Sequence, residues 1–423
     1  MAVEQFLLGR EQFGMRFGLE RMRRLLGALG DPQNAVPAVH VVGTNGKSST
    51  TLMTAAALRA QGVKTGAFTS PHLLSFRERI ELDGFQIATA DFAEVGTAVA
   101  TQIEIDDAHA AEDDRVTQFE AVTAIALVAF DRAGCEALVI EAGLGGRLDA
   151  TNVLGDSRVQ VITGVGIDHT KYLGDTIEEI AREKAAVIRS GAAVVSGPLG
   201  QAARVVVNQI ADERDANWIE LHRADPVFDG LAGEFVRANA TLALAVSETA
   251  LARIRPGEWF ARDAAIEAIE RFSMVGALAG RLQLTNTEPL EVRDAAHNPQ
   301  AAAALTEAIG ELAGERPVTL LVAMLQDKPI DDTLRELLRA VPEDGVVVCT
   351  AARNPRSLAA AELAGRVSAL APGARVEAID DPLAALAAAR EAAGDDGLLS
   401  ITGSNYLLAD LMRDPAEGPG ATL

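Results

Sequence analysis

The sequence predicts an α/β protein of two domains, each built on a mainly parallel sheet covered by helices. Short continuous runs rich in Val, Ile and Leu alternate with Ala-rich helical stretches from about residue 39 to the end, as expected of buried parallel strands joined by crossover helices. The chain is 423 residues long, more than one domain at roughly 150 residues each. Apolar residues make up 48% and charged residues 23%, so a large core can be buried and wholesale disorder is unlike this composition.

The first strand is expected at residues 39–42. It runs straight into Gly43-Thr44-Asn45-Gly46-Lys47-Ser48-Ser49-Thr50 and a helix-compatible stretch. A glycine-bearing turn at a helix N-terminus aims backbone N–H groups at a phosphate, a lysine adds a point charge, and a hydroxyl can reach Mg²⁺. The strict GxxxxGK[ST] spacing is not met, because Val41 stands at the first glycine position. A plain strand-to-helix turn is the alternative. Two features favour the nucleotide loop. Lysine is scarce (Lys47, Lys64, Lys171, Lys184 and Lys328 are all of it), and residues 16–79 hold nine basic residues against three acidic ones. Part of that excess, around Arg21 to Arg24, can equally be a solvated helix face.

Further strands are expected at 64–69, 137–141, 159–163 and 193–196. Three of them end in polar clusters: Thr69-Ser70-Pro71-His72-Leu73, then Glu141 leading into GLGGRLDATN (residues 143–152), then Gly166-Ile167-Asp168-His169-Thr170. Strand ends of one parallel sheet emerge at its carboxyl edge, where open α/β folds bind ligands. A carboxylate, a hydroxyl and an imidazole meeting there can hold a divalent cation, although Glu141 alone can be an ion-pair member and His169 alone a helix cap. Thr176 and Glu179 have the spacing of a capping box and open a helix containing Lys184, a snorkelling surface lysine on the plainer reading.

A helical stretch covers 262–271, and the domain junction is expected near Gly276 to Gly280, dividing the chain into residues 1–280 and 281–423. Beyond it come strands at 290–294, 318–323, 346–350 and 398–402. In Asp294-Ala295-Ala296-His297-Asn298-Pro299 a strand passes into a helix, with Asn298 placed to cap and Pro299 at the first helical position. The tail after Asp414 is expected to fray.

The formal charge of −22, from 38 basic and 60 acidic residues, excludes a general nucleic-acid or anionic-membrane binder, which would need a broad basic face. Cys135 and Cys349, far apart in apolar runs, read as two buried reduced thiols. The first residues lack the basic and apolar regions of a signal peptide, and the longest apolar stretch, 121–130, is too short to span a bilayer. The expected compartment is the cytoplasm.

Taken together, the segments TSPHL, FRERI, GLGGRLDATN, DHT with LGDT, and AHNP, in this order from Gly18 nearly to the end, resemble the folylpolyglutamate synthase/dihydrofolate synthase family of the Mur ligase superfamily. The resemblance implies a P-loop-type nucleotide-binding domain, including a pterin-binding N-terminal segment, joined to a smaller Rossmann-like domain. It implies an ATP-dependent ligase that adds L-glutamate to dihydropteroate or to the γ-carboxylate of a reduced folate, by way of an acyl phosphate. By position, Gly43, Thr44, Asn45, Gly46, Lys47, Ser48 and Ser49 would bind ATP, with Asn239, Arg281 and Asp294 from later in the chain. Ser70, Glu141 and His169 would hold Mg²⁺, and Lys184 would be carbamylated. Lys47, Lys184 and His297 would be catalytic. Thr117, Phe119, Glu120, Leu148, Asp149 and Ala150 would face the pterin, and Arg356 is a candidate for the glutamate carboxylate.

The chain departs from the family pattern at Ser48, usually glycine, at Phe235-Val236, often His-Gln, and at Arg16 and Gln118 on the pterin side. Three readings therefore stand: a bifunctional synthase, an enzyme acting on folates only, and a nucleotide-binding paralogue without catalysis. The expected partners are small molecules, with no nucleic acid and no membrane, and the expected state is a monomer.

Overall fold

The computed structural model describes residues 2–10, 14, 16–274 and 279–413. Residues 276–278 of the expected junction and the tail from Asp414 lie outside the described residues, as does Met15 beside Arg16. The chain divides into two units. The first comprises Met1–Phe228 with Ala238–Arg271, and the second Asp229–Arg237 with Phe272–Leu423.

The first unit contains β1 (Ala38–Val42), β2 (Thr65–Phe68), β3 (Ile80–Leu82), β4 (Phe85–Gln86), β5 (Ala137–Glu141), β6 (Ser157–Ile162), β7 (Ala193–Ser196) and β8 (Asn217–Glu220). They form one sheet in the order β4-β3-β2-β5-β1-β6-β7-β8. In sheet order every pairing from β2 to β8 is parallel, and at one edge β3 runs antiparallel to both β2 and β4. The central strands β1, β5 and β7 are buried at every position, which is why they read as continuous apolar runs. By contrast β8 is half exposed and β4 fully so. Edge strands lack the second apolar face, so neither stands out in the sequence.

Helices cover both faces. The helix Gln118–Ala133 is buried from Glu120 to Phe130, so the apolar stretch at 121–130 is an interior helix. Among the described residues no helix is long and apolar enough to cross a membrane. Against the other part of the sheet, Ile177–Ala185 and Gln201–Glu213 close a core around Val42, Ile162, Val194 and Val207.

The second unit holds β9 (Gln283–Thr287), β10 (Leu290–Arg293), β11 (Val318–Val322), β12 (Val346–Cys349), β13 (Arg375–Ala378) and β14 (Leu398–Thr402). Their order is β13-β12-β11-β14-β10-β9, parallel except for β9. The exposed edges β9 and β13 again escape a reading by hydrophobic runs. Cys135 and Cys349 are buried free thiols, pushed up to about 11 and about 12 by burial.

Candidate functional site

Because β2, β5, β1 and β6 are consecutive and parallel, the segments that follow them leave the sheet at one edge. These are the four polar segments of the sequence. β1 passes through Gly43 to Gly46 into the buried helix Lys47–Arg59. Gly46 caps that helix at φ 81°, and a Cβ there would stand 2.4 Å from Asn239 Oδ1. Only glycine combines that backbone with that approach. Ser48, in the first turn, is buried. The loop is tied to the end of β6: Thr163 Oγ1 donates to Asn45 O at 2.6 Å, and Gly166 N donates to Thr44 Oγ1 at 2.9 Å.

Lys47 Nζ donates to Thr44 O at 3.3 Å and stands 4.0 Å from Glu141 Oε1. The other oxygen of Glu141, a buried carboxylate, accepts the Ser70 N–H at 3.1 Å. Lys47, Glu141 and Ser70 are thus one cluster. Lys184 joins it from the other side. Its Nζ is buried and donates to Gly43 O at 2.8 Å. Burial first, then repulsion from Lys47, pushes the ammonium down from 10.5 to about 7, against attraction from Asp168 and Asp149. The snorkelling reading of Lys184 therefore gives way to an enclosed amine.

His169 lies at the rim. It takes a left-handed conformation at φ 52° ahead of the turn Thr170–Leu173, with its N–H on Asp168 Oδ1 at 2.8 Å. Among the described residues no group of three or more His, Cys, Asp and Glu side chains is placed to hold a metal. The donors at this edge are a carboxylate, a hydroxyl and an imidazole, a set suited to a hard divalent cation that keeps waters and phosphate oxygens as its remaining ligands.

On the GLGGRLDATN side, Asp149 is buried. Oδ2 accepts Leu144 N at 2.8 Å, and Oδ1 accepts Thr151 N at 3.0 Å and Thr151 Oγ1 at 2.5 Å. Burial raises its carboxyl pKa, opposed by those hydrogen bonds and by Lys47. Leu148 and Ala150 flank it. The Phe119 ring lies over Gly143, where a Cβ would fall 2.5 Å from Cζ. Glu120 is engaged elsewhere: its carboxylate takes Arg21 at 3.0 Å and the Thr117 N–H and hydroxyl at 2.8 and 2.9 Å. Thr117 and Glu120 therefore form the capping box of Gln118–Ala133, and Arg21 belongs to a buried ion pair, not to a solvated face. Gln118 Nε2 donates to Leu7 O at 3.1 Å and Arg16 to Glu112 O, so both departures from the family pattern serve to anchor the N-terminal segment.

In the second unit Asp294 follows β10, accepting Leu282 N at 2.8 Å and Ala296 N at 2.9 Å. Burial raises its pKa, and Arg281 opposes this. His297 Nδ1–H donates to Ala295 O at 2.8 Å, and Asn298 caps Pro299–Ala313. Arg356 pairs with Asp327 at 3.4 Å and donates to Tyr406 Oη at 2.9 Å.

Two residues at the first unit's edge were missed from the sequence. Arg79 Nε donates to His72 Nδ1 at 2.8 Å, so FRERI and SPHL form one structure beside Ser70. Asp168, 11% exposed at its side chain, supplies a charge toward Lys184. Two arginines flanking Glu78 in the short FRERI segment were the available signal for the first.

The chain matches the Mur ligase middle domain over residues 41–197 and the Mur ligase glutamate ligase domain over residues 280–405. It is 35% identical over 422 residues to a probable bifunctional folylpolyglutamate synthase/dihydropteroate synthase of Haloferax volcanii, covering 96% of this chain and 49% of that one. It therefore spans about half the length of that relative. It is 30% identical to the dihydrofolate synthase/folylpolyglutamate synthase of Bacillus subtilis, covering 79% of this chain and 82% of that protein. Among solved structures, Mycobacterium tuberculosis folylpolyglutamate synthase complexed with ADP and AMPPCP superposes with a TM-score of 0.85 at 30% identity, covering 98% and 100% of the two chains. A bifunctional folylpolyglutamate synthase/dihydrofolate synthase with Mn, AMPPNP and L-glutamate bound gives 0.78 at 29% identity, covering 97% of each.

Proposed function

Since the chain belongs to the folylpolyglutamate synthase/dihydrofolate synthase family of Mur ligases, we propose that it joins L-glutamate to dihydropteroate and to folate γ-carboxylates, using ATP. The observation that carries this reading is the gathering of Gly46, Lys47, Ser70, Glu141 and Lys184 at one edge of the sheet. A carboxylate is a poor electrophile, and transfer of the γ-phosphoryl group makes it an acyl phosphate and releases ADP. The glutamate amine then adds to that carbonyl, and the tetrahedral intermediate collapses to an amide and phosphate.

In this reading the N–H groups at the start of Lys47–Arg59 hold the nucleotide phosphates, and Lys47 neutralises the transferring group. Ser48 and Ser49 lie on the same turn, and Asn239 confines the loop. Ser70, Glu141 and His169 would hold Mg²⁺, which supplies charge neutralisation between phosphates and acceptor carboxylate when bound. The family resemblance assigns ATP contacts to Arg281 and Asp294 and a catalytic role to His297.

At neutral pH a large fraction of Lys184 carries a free amine. Addition of CO₂ would give a carbamate and release a proton, and the remaining N–H would keep its bond to Gly43 O. The Leu148-Asp149-Ala150 turn and Phe119 serve the pteridine, with Thr117 and Glu120 supporting them. Arg356 would take a glutamate carboxylate. The same reading has the chain act as a monomer in the cytoplasm.

Phosphate release measured with dihydropteroate or tetrahydrofolate, with and without glutamate, tests the proposal. Release that depends on both substrates is expected with each acceptor. Turnover with the folate alone would leave the narrower folate-only activity, and release independent of glutamate would refute the ligase assignment.

A further inference from the structure

One polar side chain beneath the GLGGRLDATN segment has no part in the chemistry above. His40 sits in the middle of β1, fully buried, with apolar Ala38, Val39, Val41 and Val42 as its strand companions. Its Nε2 lies 2.8 Å from Thr151 Oγ1, and that hydroxyl lies 2.5 Å from Asp149 Oδ1.

The direction of the chain of hydrogen bonds follows from its far end. Both Asp149 oxygens accept backbone N–H groups, from Leu144 and Thr151, so the carboxylate is the acceptor. The single Thr151 hydroxyl proton goes to it, and the hydroxyl oxygen must accept from His40. The imidazole is therefore protonated on Nε2, and burial keeps the ring neutral, pushing it down to about 3. Among the described residues, Nδ1 is left buried with no hydrogen-bond partner. An unpartnered buried nitrogen is unfavourable, and an apolar side chain of similar size would fill the site without one. Such a local conflict in a packed strand is what functional positions show. From the other side Arg189 Nη2 donates to Asn152 O at 3.0 Å and Oδ1 at 2.8 Å, so the segment is held at both flanks of Thr151.

We propose that His40 is a positioning residue whose Nε2–H, acting through the Thr151 hydroxyl, aims the Asp149 carboxylate and fixes the Leu148-Asp149-Ala150 turn. The strand that delivers the phosphate loop at Gly43 thereby also sets the acceptor side of the site. The relay stands on the geometry alone, while the identity of what the turn binds rests on the proposed ligase reading.

Four proteins test this: wild type, His40→Met, His40→Gln and Thr151→Val. Gln can place an amide N–H near the position of Nε2, and Met fills the volume with no donor. In steady-state assays His40→Met and Thr151→Val should raise KM for the pteridine acceptor about tenfold or more, a misplaced-contact effect, with KM for ATP unchanged. His40→Gln should restore most of the loss. The double variant His40→Met/Thr151→Val should be no worse than either single, since both cut one path. The thermal midpoint of His40→Met should equal or exceed that of wild type. A wild-type acceptor KM in His40→Met overturns the proposal, as does equal impairment of the Met and Gln variants with lowered midpoints, which would mean a packing role. Nitrogen-15 NMR of the histidine rings needs no substrate and separates the two readings if the ligase assay is silent. The signal missing from His40→Met should be the Nε2–H tautomer, and an Nδ1–H tautomer refutes the relay.

Discussion

Replacing Lys184 with methionine should stabilise the first unit below neutral pH while abolishing turnover. Lys184 is 3% exposed and its Nζ donates to the Gly43 carbonyl at 2.8 Å, with Lys47 adding repulsion. The fall from 10.5 to about 7 means that the charged form is disfavoured by roughly 5 kcal/mol at most, at about 1.4 kcal/mol per pH unit. Between those two values the unfolded chain holds a proton on this lysine that the folded chain lacks. Wild-type stability therefore rises with pH across that window, and below about pH 7 the full cost of the buried charge is present. Methionine carries no such dependence, so the variant's advantage should be greatest at pH 6 and shrink steadily toward pH 9. Trp218 and Trp259 are the chain's two tryptophans, and both lie in the first unit, so urea unfolding followed by their fluorescence in CO₂-free buffer reports this unit directly. Adding bicarbonate at pH 8 should then stabilise wild type and leave the variant unchanged, because a ligand bound only to the folded form adds stability by mass action. A gap between the two proteins that is the same at pH 6 and pH 9 would refute the account of a destabilised buried ammonium.

Three other perturbations follow from the same geometry. Lys47→Ala should cut kcat by at least about a hundredfold, the scale of losing one preorganised charge, with unchanged circular dichroism. Gly46→Ala imposes φ 81° on a residue with a Cβ 2.4 Å from Asn239 Oδ1; nucleotide affinity by calorimetry should fall, and stability by about 1–3 kcal/mol. Arg21→Met leaves the buried Glu120 carboxylate without its cation and should cost about 3–5 kcal/mol of stability in chemical denaturation, whereas Arg23→Met on the exposed face should change little.

The phosphate loop was legible because strand, turn and helix are consecutive and the lysine falls on the helix start, so a dozen residues contain the whole device. The central strands were legible because each is apolar on both faces. The edge strands β4, β8, β9 and β13 were not, since solvent on one side removes that signal. Thr117 and Glu120 looked like substrate residues by position, and their local spacing is equally that of a helix cap, which the structure shows they form. Arg21 was indistinguishable from its neighbours Arg23 and Arg24 until the helix Gln118–Ala133 packed against it.

By itself the sequence determined the α/β class, the order of the motifs and the kind of chemistry they can support, because those depend on residue type and on spacing within single elements. Only the tertiary structure decided which motifs meet. Glu141 reaches Ser70 across 71 residues, His40 reaches Thr151 across 111 and Lys184 reaches Gly43 across 141, contacts created by the strand order β2-β5-β1-β6. It also decided protonation. The burial that pushes Lys184 to about 7 and His40 to about 3 is a property of everything packed around those side chains, and no stretch of neighbouring residues carries it.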